Sequence, residues 1–137
     1  MIDEMGIFRT EIGVASLQRP DKTVILQGVM VDTGSEYSWL PAELLSDLGV
    51  VPVRIDAFET ADRRVIERPV GFAHVSAGGR VGASAVVFAQ AGDMMLLGAH
   101  GLEALNLRID LNRKELIPAG PAPVAAADQA LFESIVP

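Results

Sequence analysis

Residues 29–35 read VMVDTGS, a run in which three apolar residues lead directly into an acid. This pattern predicts a buried β-strand that ends at Asp32. Thr33 and Gly34 favour a turn there, because Gly34 lets other backbone approach closely and the Thr33 hydroxyl can bind backbone groups. Ser35 is expected to donate a hydrogen bond to the Asp32 carboxylate. Asp32 is therefore a candidate catalytic acid at the end of a rigid strand.

Strand and helix signals lie on both sides of this stretch. Residues 8–14 alternate with period two, and residues 23–31 are rich in β-branched side chains. The turn residues at 19–22 predict that these two segments form a hairpin. The second strand is nearly continuous in its hydrophobicity, so we expect it to be central. After the acid, a short helix is predicted from Pro41 to Gly49.

The remaining sequence predicts mainly β-structure, and the fold class is therefore all-β with two short helices. Strands are expected at 58–60, 65–67, 70–76 and 81–89, with a hairpin turn at 77–80. A second short helix at 101–105 is expected to end at Asn106 in the left-handed conformation, and a last hairpin follows at 107–117.

The chain is predicted to contain one folded domain, residues 1–118. The Pro- and Ala-rich segment 119–137 cannot continue a strand and is expected to be a C-terminal tail. Within it, residues 125–136 could add a weak helix or pack on a partner.

The composition describes a folded, acidic chain. Half of the 137 residues are hydrophobic, the net charge is −7, and there is no Cys. An acidic surface repels phosphate groups and anionic lipids, which disfavours nucleic acid and membranes as partners. The lack of Cys excludes disulfides and thiolate metal sites and is typical of a reducing compartment. The first residues do not resemble a secretory signal, and no apolar stretch approaches the roughly 20 residues that span a bilayer, so we expect a cytoplasmic protein.

An amide bond is hydrolysed when a water molecule is activated and the leaving amine is protonated. Two carboxyl groups about 3 Å apart can do both, because like charges that close share one proton. The chain has one Asp-Thr-Gly, at residues 32–34, and no Asp-Ser-Gly. If Asp32 belongs to such a pair, the second acid comes from another copy of the chain, and the catalytic form is predicted to be a homodimer.

Several motifs resemble the retropepsin-like aspartic proteases, and most closely their small bacterial and archaeal members. The motifs are MGIF at 5–8, VDTGS at 31–35, SWLP at 38–41, FETAD at 58–62, LLG at 96–98, LEAL at 102–105 and LRID at 107–110. No single motif is specific, but together they extend over residues 5–118.

The resemblance implies an aspartic endopeptidase with a closed β-barrel-like acid-protease fold, one lobe per chain, that is active only as a homodimer. It implies that Leu97 and Gly98 support the loop that carries Asp32, and that a hairpin flap at 58–69 covers a peptide or protein substrate. The substrate-binding tip of this flap would include Ala61, Asp62 and Arg63, where the viral members are Gly-rich. No cofactor and no metal is expected.

Two other classes of function are compatible with parts of the sequence. The actin and sugar-kinase ATPases also carry Asp-x-Gly-Ser/Thr after a strand, but they need two large lobes, for which 137 residues are too few. A catalytically silent dimerisation or peptide-binding module on the same fold is the alternative that stays open. His74 and His100 lack the spacing of metal ligands and are expected to be structural or solvent-facing.

Overall fold

The structure, a computed structural model, describes residues 8–121 and Val124. This part of the chain is mainly β with two short helices, so the predicted all-β fold class is confirmed. The elements are β1 (Phe8–Ala15), β2 (Val24–Val31), β3 (Ser38–Pro41), α1 (Ala42–Asp47), β4 (Arg54–Glu59), β5 (Val65–Ala77), β6 (Arg80–Ala89), β7 (Leu96–Leu97), α2 (Ala99–Leu105), β8 (Leu107–Asp110) and β9 (Glu115–Pro118).

Seven strands form one sheet in the order β1-β2-β7-β3-β6-β5-β4, and an additional pairing of β1 with β5 closes it into a partial ring. The β2–β7 and β3–β6 pairs are parallel, whereas the other pairs in this sheet are antiparallel. β8 and β9 form a separate hairpin. The ring encloses one core, in which the fully buried side chains include Val14, Val29, Leu40, Leu45, Val75, Val86, Leu97 and Leu105.

β1 and β2 form the predicted hairpin, with an irregularity in register between Thr10 and Ile12. β2 has partners on both sides, as a central strand should, but only its last three residues are buried. The reason is that β7 contains two residues and pairs only with Met30 and Val31. The first half of β2 is consequently an exposed edge, which its continuous hydrophobicity did not predict.

β3 is a strand that the sequence pattern did not predict, because four residues are too few to display period two. It pairs with β6 from Ser38 to Pro41 and with β7 at Trp39. Pro41 ends β3 and is the N-cap of α1, so the first predicted helix begins one residue later than expected. Gly49 follows the helix with a φ of 87°, in the left-handed region expected there.

β5 runs unbroken through Pro69, although two separate strands were predicted on either side of it. The backbone of Val70 faces β4, because its carbonyl oxygen accepts a hydrogen bond from Val53 N at 2.8 Å. The backbone of Pro69 therefore faces the opposite edge, where pairing with β6 begins only at Val70. A proline is tolerated there since no ladder hydrogen bond needs its missing N–H.

The predicted elements after residue 76 are confirmed. Ala77 pairs with Arg80 across the two-glycine turn, and Asn106 ends α2 in the left-handed conformation with a φ of 52°. β8 and β9 form the last predicted hairpin.

The chain beyond β9 is described only for a few residues. Ala119 N donates to Asn106 O at 2.9 Å, and Asn106 Nδ2 donates to Gly120 O at 3.1 Å. The motif at 5–7 and the expected helix at 125–136 lie outside the described residues, and the division at residue 118 stays a prediction. In the part of the chain that is described, no helix has the length and apolar character needed to cross a membrane.

Candidate active site

Asp32 lies immediately after β2, where the ladder between β2 and β7 ends. Val31 pairs with Leu97, and Asp32 N then donates to Leu97 O at 2.9 Å. Val31 and Leu97 are buried, whereas Asp32 is half-buried. The backbone of the acid is therefore held by the core while its side chain stays accessible.

The Asp32 carboxylate is oriented by its own loop, residues 32–37, which we call the Asp32 loop. Gly34 N donates to Asp32 Oδ1 at 2.9 Å, and Ser35 N donates to Asp32 O at 3.2 Å. A Cβ atom on Gly34 would lie 3.2 Å from Oδ1, so a side chain there would crowd the carboxylate. This is the turn that Asp forms readily with the backbone two residues on.

Gly98 supports the Asp32 loop from the side of the core. A Cβ atom at this position would lie 2.4 Å from Tyr37 O and 2.7 Å from Ser35 O, so only glycine lets the loop backbone pack this closely. Gly98 N donates to the buried hydroxyl oxygen of Ser38 at 3.0 Å. β3 and the residue before α2 are thereby joined beneath the loop.

The start of α2 is also bonded to the Asp32 loop. Ala99 N donates to Ser35 O at 2.7 Å, and His100 N donates to Glu36 O at 2.9 Å. The first amides of a helix have no partner within the helix, and here loop carbonyls accept their hydrogen bonds. The loop is thus fixed at both ends by backbone contacts.

One of the two hydroxyl groups of the Asp32 loop differs from expectation. The expected bond from Ser35 to the Asp32 carboxylate is wrong for this chain, because Ser35 Oγ donates to Tyr37 O at 2.9 Å instead. Ser35 lies beyond the turn, so its hydroxyl stabilises the backbone of the loop at Tyr37 instead of contacting the carboxylate. Thr33 is exposed and its side chain makes no hydrogen bond within residues 8–121.

A hairpin formed by β4 and the first part of β5, residues 54–70, extends beside the Asp32 loop; we call it the cleft hairpin. The predicted flap at 58–69 falls within it. At its tip, Thr60 N donates to Arg64 O at 2.8 Å, and Asp62 accepts hydrogen bonds from the Thr60 hydroxyl and from Arg64 Nε. These donors hold the pKa of the Asp62 carboxyl below its ordinary value.

A cleft of about 680 Å³ separates the cleft hairpin from the Asp32 loop. Its lining comprises Ser35, Glu36, Tyr37, Trp39, Asp56, Ala57, Phe58 and Glu59. The Phe58 ring lies 4.9 Å from the Trp39 ring and 5.9 Å from the Tyr37 ring, between centroids, so aromatic contacts form one wall. Arg54 donates to Asp56 at 3.0 Å and to the Tyr37 hydroxyl at 3.3 Å, and these bonds raise the pKa of Arg54.

The comparison with protein families decides the class of this site. The family described as aspartyl protease matches residues 21–100, which is more than half of the chain and includes the Asp32 loop and the cleft hairpin. This chain belongs to the aspartyl protease family. The resemblance to the retropepsin-like type that the sequence suggested is confirmed. A search of curated proteins returned no match.

In this aspartyl protease the residues predicted around Asp32 lie together, but those predicted at the flap tip lie apart from them. Gly34 and Leu97 bond directly to Asp32, and Gly98 packs under the loop. Ala61, Asp62 and Arg63 form the exposed hairpin tip, and within residues 8–121 no hydrogen bond or ring contact joins them to the Asp32 loop. The hairpin contacts the loop region through Phe58 on β4 instead.

Ser38 and Phe58 also shape the site, although the sequence did not predict this for either residue. Ser38 is a polar residue in an apolar run, which is a signal of a buried hydrogen bond, but its partner Gly98 is 60 residues away. Phe58 was placed in a strand and at the start of the predicted flap, without a contact of its own to the Asp32 loop. Only the register of β4 shows that it shares a face with Arg54 and Asp56 and therefore points toward the loop.

The two histidines take no part in a metal centre among the described residues, where no group of three or more His, Cys, Asp or Glu side chains could hold an ion. The ring of His100 packs edge-on against Tyr37 at 5.4 Å. His74 lies on β5, and its Nδ1 atom is buried without a hydrogen-bond partner within residues 8–121.

Proposed function

We propose that this protein is an aspartic endopeptidase whose active site forms when two copies of the chain bring their Asp32 carboxyl groups together. The observation that carries the proposal is the construction of the Asp32 loop. Its carboxylate is oriented by Gly34 N and its backbone is tied to Leu97, yet the side chain is accessible. Such preorganisation is what an acid needs when it must move protons in a fixed geometry.

The chemistry follows from one proton shared by two carboxyl groups. The ionised Asp32 accepts a proton from water, and the water oxygen bonds to the carbonyl carbon of the peptide. The protonated Asp32 of the second subunit donates its proton to the carbonyl oxygen. When the resulting tetrahedral intermediate breaks its C–N bond, the leaving amine takes up a proton and the shared proton is restored. The titration belongs to the pair and not to one residue.

The surface of the Asp32 loop supports a second copy as the partner. Thr33 and Gly34 are exposed, and the Thr33 hydroxyl has no hydrogen-bond partner within residues 8–121. A two-fold axis beside the loop would bring each Thr33 near its equivalent and each Asp32 near the other, because a symmetric dimer uses the same surface twice.

The cleft supports a peptide or protein segment as the substrate. It runs between the Asp32 loop and β4, and its volume of about 680 Å³ can hold several side chains of an extended chain. Tyr37, Trp39 and Phe58 supply apolar contact area, while the cleft hairpin lies where it can cover a bound segment.

Mixed dimers test this proposal directly. Wild-type protein is incubated with a mixed peptide library from acidic to neutral pH, and cleavage is followed by mass spectrometry. Asp32→Asn should cleave nothing. After subunits of wild type and Asp32→Asn are mixed in equal amounts, about a quarter of the dimers carry two acids, so activity per wild-type chain should fall to about a half.

The outcomes separate the proposed enzyme from its alternatives. Unchanged activity per wild-type chain in the mixture would show that one chain is sufficient. No cleavage by wild type, together with a stable dimer that binds peptides, would identify a catalytically silent binding module.

A further inference from the structure

One ion pair joins the cleft hairpin to a distant part of the chain. Arg68 Nε donates to Asp93 Oδ2 at 2.7 Å and Arg68 Nη2 donates to Asp93 Oδ1 at 3.0 Å, which is the two-point geometry that arginine makes with a carboxylate. The side chains of Arg68 and Asp93 are only 16% and 13% exposed. Such a pair is screened by water much less than a surface pair.

The other ion pairs in the described part of the chain are local, because each joins residues that are close in sequence. The pairs Arg19–Asp21, Arg54–Asp56, Arg64–Asp62 and Arg113–Glu115 each join residues two positions apart. They can fix a turn or a strand edge but cannot hold two segments together. Arg68 and Asp93, by contrast, are 25 positions apart.

On its own side, Arg68 belongs to the face of the cleft hairpin that meets the Asp32 loop. Arg68 is directly opposite Asp56, and Ile66 is directly opposite Phe58. Opposite residues of an antiparallel pair point to the same face, as do alternate residues of one strand. Arg68 and Phe58 therefore share the inner face, and Phe58 packs on Trp39.

On the other side, Asp93 belongs to the segment that enters β7. Its carboxylate also accepts a hydrogen bond from Gln90 N at 2.8 Å, and Asp93 N donates to Gln90 O at 2.9 Å, so the side chain is fixed to a closed turn. Leu96 follows three residues later and pairs with Trp39. Leu97 then accepts the hydrogen bond of Asp32 N.

We propose that the Arg68–Asp93 ion pair sets the position of the cleft hairpin relative to the Asp32 loop, so that both are positioning residues for the proposed peptidase. The hairpin contacts the loop region through Phe58, which packs on Tyr37 and Trp39, and through the Arg54–Tyr37 hydrogen bond. The Arg68–Asp93 pair adds a contact to the segment that enters β7, and together these contacts fix the width of the cleft. Without the ion pair the hairpin can pivot about its contacts with Tyr37 and Trp39, and the fraction of molecules ready to hold a substrate falls.

This inference rests on the proposed function for its kinetic test but has a second test that does not. Arg68→Met keeps the length of the side chain and removes its charge. We expect KM for the peptide that wild type cleaves best to rise about three- to tenfold while kcat changes less, because the loss falls on substrate binding. Asp93→Asn and the double variant should raise KM by the same factor as Arg68→Met. Substitutions at the two partners of one pair remove the same interaction, so their effects do not add.

Arg113→Met is the matched control, because Arg113 makes an exposed pair with Glu115 on the β8–β9 hairpin, outside the cleft lining. It should leave KM unchanged. If Arg68→Met folds poorly, Arg68→Lys keeps the charge without the two-point geometry and should raise KM by a smaller factor. Lower thermal stability of the Arg68 variants with KM unchanged would overturn the proposal, because the pair would then be only structural.

Hydrogen exchange tests the coupling without any substrate. In Arg68→Met, amides of residues 54–70 and of the Asp32 loop should exchange faster than in wild type, while those of β8 and β9 should not change. Unchanged exchange in the cleft hairpin would overturn the inference even if the peptidase is active. Faster exchange there in a protein that cleaves no peptide would support the coupling and reject the proposed function.

Discussion

Asp32 N donates to Leu97 O at 2.9 Å, one step beyond the point where Val31 pairs with Leu97. The Asp32 loop therefore begins as a continuation of the parallel ladder between β2 and β7. Leu97 is fully buried, so its carbonyl group is held by the core of the ring. The position of the acid is thus determined by packing between two segments that are distant in the chain, one ending at Val31 and the other at Leu97.

Asp32→Asn should remove peptidase activity without weakening the fold. The amide oxygen of Asn can still accept the hydrogen bond from Gly34 N, so the free energy of unfolding should change by less than about 0.5 kcal/mol. Activity should fall at least about 100-fold, because the amide neither accepts a proton from water nor shares one. Cleavage assays and chemical unfolding at one protein concentration measure both. Asp21→Asn, at an exposed surface pair, should retain activity, and equal losses in the two variants would contradict the role of Asp32.

Ser38→Ala should destabilise the protein because it leaves a buried N–H without a partner. Ser38 is fully buried and its hydroxyl accepts from Gly98 N at 3.0 Å. We expect the free energy of unfolding to fall by about 1–3 kcal/mol. Ser84→Ala is the matched control, since Ser84 is also buried but its hydroxyl makes only a 3.3 Å bond to Ala85 O. If the two substitutions lower the free energy of unfolding equally in denaturant experiments, the Ser38–Gly98 hydrogen bond contributes no more to stability than the longer bond of Ser84.

The features that the sequence predicted well are those whose causes are local. Gly49 and Asn106 end the two helices in the left-handed conformation because glycine and asparagine tolerate it. The turns at 19–22 and 77–80 are specified by their own residues, and the hairpins follow from them. The strand, turn and helix around Asp32 were likewise predicted because they occur in one continuous segment, whereas the catalytic role of Asp32 stays a prediction.

The features that could not be predicted depend on residues far apart in the chain. The exposed start of β2 results from the shortness of β7, and the continuity of β5 through Pro69 results from where β6 begins. The hydroxyl of Ser35 could reach either a carboxylate or a carbonyl, and the loop geometry selects Tyr37 O. The Arg68–Asp93 pair has no signal in either segment alone.

Gly98→Ala should lower activity more than its cost in stability explains. The added methyl group would meet Tyr37 O at 2.4 Å, so the Asp32 loop must move away from its support. We expect a loss of about 1–3 kcal/mol in the free energy of unfolding and a fall in kcat, because the carboxylate is displaced with its loop.

Gly79→Ala provides the comparison for Gly98→Ala. Gly79 has a φ of 78° with nothing within 4 Å of an added Cβ, so alanine there costs about 1–2 kcal/mol of backbone strain without a steric clash. It lies in the β5–β6 turn and should leave kcat unchanged. If both variants lose the same stability and the same kcat, the contact between Gly98 and the loop is irrelevant to activity.

Asp93→Asn should destabilise the protein at neutral pH and lose that effect in acid. The hydrogen bonds from Arg68 lower the pKa of Asp93 in the folded protein from its ordinary value of 3.8, against the opposing effect of burial. A carboxyl group with a depressed folded-state pKa stabilises the fold above its unfolded pKa, and the contribution is lost as the pH falls through the folded pKa. The difference in unfolding free energy between wild type and variant should therefore be constant, at about 1.5–3 kcal/mol, near neutrality and shrink once the pH falls below about 4.

The pH dependence of this difference is measured by urea unfolding at a fixed protein concentration, since the stability of the proposed dimer would depend on concentration. Asp21→Asn serves as the control, because its exposed pair with Arg19 should contribute less than about 1 kcal/mol at any pH. A difference for Asp93→Asn that is the same in acid as at neutrality would mean that the charge of Asp93 does not stabilise the fold. A difference that grows in acid would mean that folding raises the pKa of Asp93, so that its negative charge destabilises the fold and the ion pair with Arg68 does not hold the cleft hairpin.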